Sequence, residues 1–452
     1  MTYKFAEHQQ YGKFMMQCNP YLGCFYAMGT GKTAMALDWV NDALKKKEIG
    51  SALVVCPASL VDSWGEAIDD MVKFDGYTSA DVKRLKSAVK VCSYQKMYKT
   101  ERTAIHHRDG RVTNRRSISL RPEVDREWGA VIIDEAHGIG AHDSVQTRAA
   151  ITLGKLAKHR FILTATPVHG GGGKEDFSKL YGEFQFLSGG TMWKSWTDFC
   201  NKYVTSYDKW YKPRSYDVEA CRALMKSHAI VCRLEDCFDM PGKMEQEVKC
   251  KLAESKVYKD IRDGNLEPYG VNVEVAGGQY IKMLQICSGS MKRDRDTMQL
   301  KCSKDDVLED ILTGTDEPVV IFCNFRASID RCAEICRKVK RKCVVFDGRS
   351  SSDAWKEFSN GKKDVIICQY QSGGVGLNLQ RAHIMVLFEP CMSALLLEQA
   401  TGRIYRKGQD KKCIYYYLVT PGSVEKKVLD TVRSGVDVCT SMLDEWSAMG
   451  II

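Results

Sequence analysis

The chain has 452 residues, 44% of them hydrophobic and 27% charged, with a formal net charge of +9. That length is too great for one hydrophobic core, so two domains are expected, and the composition is that of an ordinary soluble protein. No long apolar run, secretory leader or CxxC pair occurs, which argues against a membrane span, export and a zinc ribbon. The basic balance suits a polyanionic partner, although a slightly basic enzyme surface would carry the same charge.

The 19 cysteines are scattered, and several, such as Cys56, Cys323 and Cys368, sit inside apolar runs. They read as small core hydrophobes in a reducing, intracellular setting. Taken in chain order, the first strand-like stretch, YLGCFYA, leads into MGTGKT, residues 28–33. Glycines let a backbone wrap a phosphate, and a helix that follows presents its free N–H groups to the same anion. Met28, Gly29, Thr30, Gly31, Lys32 and Thr33 are therefore candidate nucleotide ligands. Lys32 would reach the β and γ phosphates and Thr33 would hold Mg²⁺. The strict phosphate-loop pattern has glycine at position 26, where this chain has Tyr26. KTAMALDWVNDALKKK (32–47) repeats apolar residues at helical spacing and closes on lysines, as a helix C-terminus favours.

Further short apolar runs follow: SALVVC (51–56), AVIID (130–134), FILTA (161–165), VVIFC (319–323), CVVFD (343–347), VIIC (365–368), IMVLF (384–388) and CIYYYLV (413–419). Unbroken runs of this length mark strands buried on both faces of a parallel sheet, and the helical stretches between them imply a doubly wound α/β architecture. The strands form two groups, separated by a segment rich in aromatic and charged residues that reads as mostly helical. In open α/β sheets ligands bind beyond the carboxyl ends of the strands, so the residues just after each run carry the candidate chemistry.

DEAH (134–137) follows one such run. Adjacent carboxylates repel, and a bound Mg²⁺ would relieve them: Asp134 would contact the metal, and Glu135 would orient and deprotonate an attacking water. TATP (164–167) follows the next run, and Thr164 and Thr166 read as a switch coupling nucleotide state to lobe movement. KTERTAIHHRDGRVTNRRSISLRPEVDRE (99–127) is polar and basic and reads as a loop or hairpin near RDGR. It is a solvated insertion, with a basic flap over nucleic acid as the alternative. In the central segment Trp193, Trp196, Trp210 and Tyr211 read as core rather than as base-stacking platforms. RKVKRK (337–342) reads as a solvated helix end, with a nuclear signal as the alternative. Near the end, QATGRIYRKGQ (399–409) places Arg403 and Arg406 three apart. On a helix they would share a face and point toward an anion.

GKT, DEAH and TATP in this order resemble the first lobe of a superfamily-two helicase. QSGGVGLNLQRAHIMVLFEP (371–390) and QATGRIYRKGQ closely resemble the second lobe of the Swi/Snf family of DNA translocases, as do VVCPASLVDSW (54–64), WGAVIIDEAH (128–137), VVIFCNF (319–325) and VFDGRSS (345–351). MPGK (240–243) and LQIC (284–287) match weaker central markers. The resemblance implies two RecA-like doubly wound parallel-sheet lobes with a helical insert and linker between them. Lobe 1 would span 1–190, the insert and linker 191–300, and lobe 2 301–452.

The resemblance also implies a DNA-dependent ATPase that uses ATP and Mg²⁺ and translocates on double-stranded DNA, held mainly by its phosphate backbone. A strand-separating DNA or RNA helicase and an inactive ATPase serving as a DNA-binding scaffold are the alternatives. Arg403 and Arg406 would be arginine fingers, Gln399 would order the water or the γ-phosphate, and Gln9 would read adenine. Pro57, Ser59, Ser93 and Tyr94 in lobe 1, and Asn324, Ser372 and Gly373 in lobe 2, fall in motifs that track DNA phosphates. Gly374, Gly376 and Asn378 would shape the turn linking the DNA groove to the ATP cleft.

The chain departs from the family pattern at Tyr26-Ala27, at LTATP for LTGTP, and at Gly140-Ala141, where a Lys-Asn pair is usual. GGGG (170–173) replaces a more ordered family segment and has no assigned role. The length and the lack of an added module resemble compact viral and bacteriophage members. The expected location is thus the cytoplasm of a bacterial or virus-infected cell, with the nucleus as an alternative.

Overall fold

The computed structural model describes residues 2–106, 112–165, 168, 175–271, 276–293, 296–351, 353–373 and 377–434. The chain divides into two compact units, the first ending at Asp239 and the second beginning at Met240. Each is built on a six-stranded sheet in which every neighbouring pair is parallel.

In the first unit the sheet runs, edge to edge, Ala229–Cys232, Tyr21–Tyr26, Ala157–Thr164, Trp128–Asp134, Ala52–Cys56, Val89–Ser93. Side chains alternate across a strand, so each strand feeds two cores. Cys24, Tyr26, Val54, Ile132 and Leu163 pack on one face against Trp39 and Trp64. Phe25, Val55, Val131, Ile133 and Ile162 pack on the other against Phe184. Burial of this kind stabilises by roughly 1.5–3 kcal/mol per large apolar side chain, which is why the runs carry no polar interruptions. The basic insertion forms two antiparallel strands, Tyr98–His106 and Val112–Leu120. The RDGR tip, apart from its neighbours in those strands, lies outside the described residues.

In the second unit the order is Lys243–Lys249, Cys413–Val419, Ile384–Leu387, Val319–Cys323, Val365–Gln369, Cys343–Phe346. Val319, Ile321, Val365, Ile367 and Val386 share a core with Ile329 and Cys332 of the helix Arg326–Lys338. Lys304 and Glu425, both fully buried, pair at 2.5 Å, and Lys304 Nζ also donates to the Phe388 carbonyl at 2.8 Å. This ties the helices Lys304–Thr313 and Val424–Arg433 to the sheet.

The stretch expected as one helical insert, 191–300, is divided between the units. Its Ala229–Cys232 strand is an edge of the first sheet, and its Lys243–Lys249 strand is an edge of the second. Both carry polar or half-exposed positions, because an edge strand is covered less than a central one. Among the described residues, no helix is long and apolar enough to cross a membrane, and no group of His, Cys, Asp and Glu could hold a metal ion by itself.

Candidate active site

Three adjacent strands of the first sheet end together. Phe25 pairs with Thr164, and Leu163 pairs with Asp134. Neighbouring strands lie about 4.8 Å apart, so the loop after Tyr26, the Thr164 end and the DEAH turn occupy one short stretch of the sheet's carboxyl edge.

The loop that leaves Tyr26 turns back through Gly29 (φ 79°) and Gly31 (φ 80°), both left-handed, and enters the helix Lys32–Lys45. No side chain caps that helix. Its first N–H groups and the positive end of its dipole therefore face the loop, an arrangement that favours an anion. Gly31 is required by its left-handed backbone, and a Cβ there would lie 2.2 Å from Gln9 Nε2 and push that amide aside. Lys32 Nζ donates to the Tyr26 carbonyl at 2.6 Å, which places the cation at the strand end. Thr30 is buried and its hydroxyl donates to the Ala27 carbonyl at 2.8 Å.

Gln9 belongs to the helix Glu7–Cys18, which packs on this loop. Its Oε1 accepts from Ala6 N at 2.9 Å, and its Nε2 donates to the Gly31 carbonyl at 3.2 Å. His8 Nε2 lies 2.8 Å from the Thr30 carbonyl, and Tyr26 Oη donates to the His8 carbonyl at 2.9 Å. Tyr26, the departure from the strict loop pattern, thus fastens this helix to the loop.

Asp134 is 6% exposed. Its Oδ2 accepts from the Trp64 indole at 2.8 Å and its Oδ1 from Glu135 N at 3.0 Å. Glu135 has φ 53° and ψ 53°, a left-handed conformation that costs a non-glycine residue roughly 1–2 kcal/mol. Tyr94 holds it there, its hydroxyl lying within donating distance of the carbonyls of Asp134, at 2.8 Å, and Glu135, at 3.0 Å. His137 Nδ1 lies 3.3 Å from Glu135 Oε2.

Burial, and then the neighbouring Glu135, push the Asp134 carboxyl up to about 6, against the pull of Lys32 and Trp64. The folded-state value lies above that of the unfolded chain, so the folded protein holds the extra proton between about pH 4 and 6. Stability from this group is lost as pH rises through that window. Without nucleotide, Asp134→Asn is expected to raise the melting temperature of the first unit by roughly 3–8 °C above pH 7 and to leave it unchanged below about pH 4. Thermal unfolding followed by circular dichroism at both pH values measures this. A fall at pH 8 would mean that the Trp64 bond outweighs the buried charge.

In the second unit the helix Ala394–Thr401 ends before the arginine pair, so Arg403 and Arg406 stand in successive turns and not on a helix face. They converge all the same: Arg403 Nη1 donates to the Leu377 carbonyl at 3.3 Å and Arg406 Nη1 to the same oxygen at 3.1 Å. Burial lowers the pKa of Arg406. Gln409 fixes the loop by donating from Nε2 to the carbonyls of Gln380, Ala382 and Ile404. Gln399 is buried, and its Oε1 finds no hydrogen-bond partner among the described residues. A buried unpaired amide oxygen costs roughly 1–3 kcal/mol, which a ligand donor could relieve.

The residues expected at DNA phosphates separate into two groups. Ser59 is exposed on the turn Ala58–Leu60, and Pro57 and Ser372 are half-buried. Ser93, Tyr94, Asn324 and Gly373 are buried. Tyr94 spends its hydroxyl on the DEAH turn. Asn324 N donates to Glu389 Oε2 and its Nδ2 to the Pro390 carbonyl, both at 2.5 Å. A Cβ at Gly373 would lie 2.7 Å from that of Cys368, so this glycine answers a packing need. In the structure Tyr94, Asn324 and Gly373 each meet a bonding or packing need at a strand end. Thr164 is fully buried and Asn378 is exposed. Thr166, Gly374, Gly376 and the glycine run 170–173 lie outside the described residues.

Sequence reasoning missed Trp64 as the partner of Asp134 and the Leu377 carbonyl as the arginines' shared acceptor. No local signal marks either. It also misjudged two aromatics: Trp193 is buried, but Trp210 and Tyr211 are exposed.

Two units, each built on an all-parallel six-stranded sheet, the first with a glycine loop and an acidic turn at the carboxyl ends of adjacent strands, form two RecA-like lobes. The SNF2-related domain family matches residues 8–314, and the helicase conserved C-terminal domain matches residues 303–408. The chain belongs to the SNF2-related family, within the Swi/Snf branch of superfamily two.

Among curated relatives, the chain is 23% identical over 533 residues to "DNA repair and recombination protein RAD54-like" of Drosophila grimshawi, covering 97% of this chain and 63% of that protein. It is 24% identical to "DNA repair protein rhp54" of Schizosaccharomyces pombe, covering 94% and 56%. The chain thus spans less than two thirds of the length of these relatives. A solved Sulfolobus solfataricus SWI2/SNF2 ATPase core in complex with double-stranded DNA aligns with a TM-score of 0.42 at 21% identity, covering 95% of this chain and 91% of that one.

Proposed function

We propose that the chain is a DNA-dependent ATPase that uses ATP hydrolysis to move along double-stranded DNA. The observation that carries this reading is the meeting of the phosphate loop, Thr164 and the Asp134–Glu135 turn at the ends of three adjacent strands. The names of the DNA-repair relatives support the choice of polymer.

The residues fit ATP and a magnesium ion. An uncapped helix start and Lys32 suit the β and γ phosphates, and Asp134 and Glu135 are two adjacent carboxylates, one of them buried, whose repulsion a cation relieves. Thr33 and Asp134 would hold Mg²⁺, which when bound neutralises charge on the phosphate oxygens. Lys32 leaves the Tyr26 carbonyl to meet the phosphates, while Gln9 keeps the loop in shape and reads adenine. Glu135, fixed by Tyr94, takes the proton of the attacking water. In the second unit, as the sequence resemblance implies, Gln399 would order the attacking water or the γ-phosphate, and Arg403 and Arg406 would neutralise charge on the transferred phosphoryl group.

Side-by-side ATPase assays with duplex DNA, single-stranded DNA and RNA test this reading. Duplex DNA is expected to stimulate most, and the stimulation should fall steeply as salt is added, because phosphate contacts release counterions. Equal stimulation by RNA would move the assignment to a strand-separating helicase.

A further inference from the structure

In the first unit the helix Trp196–Tyr203 leads into an antiparallel hairpin, Val204–Tyr207 with Pro213–Tyr216. Its base is anchored: Tyr203 and Tyr216 are buried in the core, with Tyr216 edge-on to Phe177 at 5.9 Å. Its tip is the reverse. Trp210 is 63% exposed, Tyr211 87% and Tyr207 43%. Single exposed aromatics are ordinary, but adjacent large rings held out on an anchored hairpin are not.

The tip is shaped to hold them there. Asp208 Oδ1 accepts from both Trp210 N and Lys212 N at 2.8 Å, Tyr211 N donates to the Asp208 carbonyl at 3.1 Å, and Asp208 N donates to the Lys212 carbonyl at 2.9 Å. The one acidic side chain of the tip is thus used as a turn acceptor. Lys209, Lys212 and Arg214 are exposed around it, and Lys209 Nζ stands 5.2 Å from the centre of the Trp210 ring. Tyr211 sits at φ 58°. For a bulky residue this is a costly conformation, and glycine would be the cheap choice at such a turn. A ring is kept where the fold does not need one.

Flat rings interleaved with cations suit a polyanion that also offers flat faces. In an intact duplex the base faces are covered by their neighbours, whereas unpaired bases present them, and stacking on an aromatic side chain accepts any base. We infer that the hairpin tip is a stacking site for unpaired nucleotides, with Trp210 and Tyr211 taking base faces and Lys209, Lys212 and Arg214 the flanking phosphates. This rests on the reading of the chain as a DNA motor and adds a site that the ATP and DNA motifs do not supply.

The test compares binding, at one fixed salt concentration, of a fully paired duplex, the same duplex with a short unpaired bubble, and a single strand, each followed by fluorescence anisotropy. The wild-type chain is expected to favour the bubble over the paired duplex. W210A/Y211G should weaken bubble and single-strand binding by roughly ten-fold or more, the loss expected when base stacking is removed, and leave the paired duplex nearly unchanged. W210F/Y211F, which keeps flat rings, should retain the preference. With the wild-type chain alone, a photoreactive 5-iodouracil in the bubble should cross-link to Trp210 or Tyr211, which keeps the test independent of variant folding. Unchanged bubble affinity in W210A/Y211G, or cross-links that map elsewhere, would overturn the stacking site and leave the motor reading standing. Failure of the wild-type chain to bind any of the three DNAs would overturn both.

Discussion

Replacing Glu135 by Gln is expected to lower ATP turnover by roughly 10²–10⁴-fold while ATP remains bound, the loss typical of a missing general base. The carboxamide has the carboxylate's shape but cannot take a proton at neutral pH. The turn itself should survive. Tyr94 holds it through the backbone carbonyls of Asp134 and Glu135, and neither bond involves the side chain that is changed. Removing the charge beside Asp134 also removes one of the two causes that raise its pKa, so the neighbouring carboxylate becomes easier to ionise and no worse as a metal ligand. Nucleotide binding followed with a fluorescent ATP analogue, beside single-turnover hydrolysis, separates the two effects. Lys32→Ala provides the contrast, because it should weaken binding itself. Near-normal turnover in Glu135→Gln would show that the proton goes elsewhere.

The central strands were legible because they are covered on both faces: ALVVC, VVIFC and IMVL have no room for a polar residue, and each is a strand. Lys243–Lys249 was not read as a strand, because KMEQEVK lies at a sheet edge, where half-exposed positions accept lysine and glutamate. The same difference decides the site. The phosphate loop and the DEAH turn are contiguous in sequence, and their chemistry follows from residue type and order. The Trp64 bond to Asp134 spans 70 residues, and the Tyr94 bond to that turn spans 40, so only the fold brings them together. Tyr94 and Asn324 lie in motifs expected to contact DNA. A motif's position, however, does not tell a hydroxyl or amide that faces outward from one that ties the strand end together from within.

Replacing either Arg403 or Arg406 by Ala is expected to lower hydrolysis by roughly 10³-fold or more, the lower range for a lost arginine finger, with ATP and DNA binding little changed. The structure sharpens the competing explanation. Both guanidinium groups donate to the Leu377 carbonyl, so they could serve only to clasp the 399–409 loop to the 377–382 segment. Glu389, a buried acidic residue of the same unit, accepts from Ser328 Oγ and Asn324 N. A clasp needs only one donor per residue, and after one arginine is lost the other still reaches the carbonyl. Loss of that charged hydrogen bond costs roughly 1.5–3 kcal/mol. Lysine separates the two roles. Its ammonium can donate to one carbonyl and should restore a clasp, but it lacks the planar fork that bridges two phosphate oxygens, so it should not restore hydrolysis. Melting curves and single-turnover hydrolysis of R403A, R403K, R406A and R406K provide the comparison. Full melting temperature with hydrolysis still lost in both lysine variants would fit the finger role. Recovery of hydrolysis in step with stability would assign the arginines to the clasp alone.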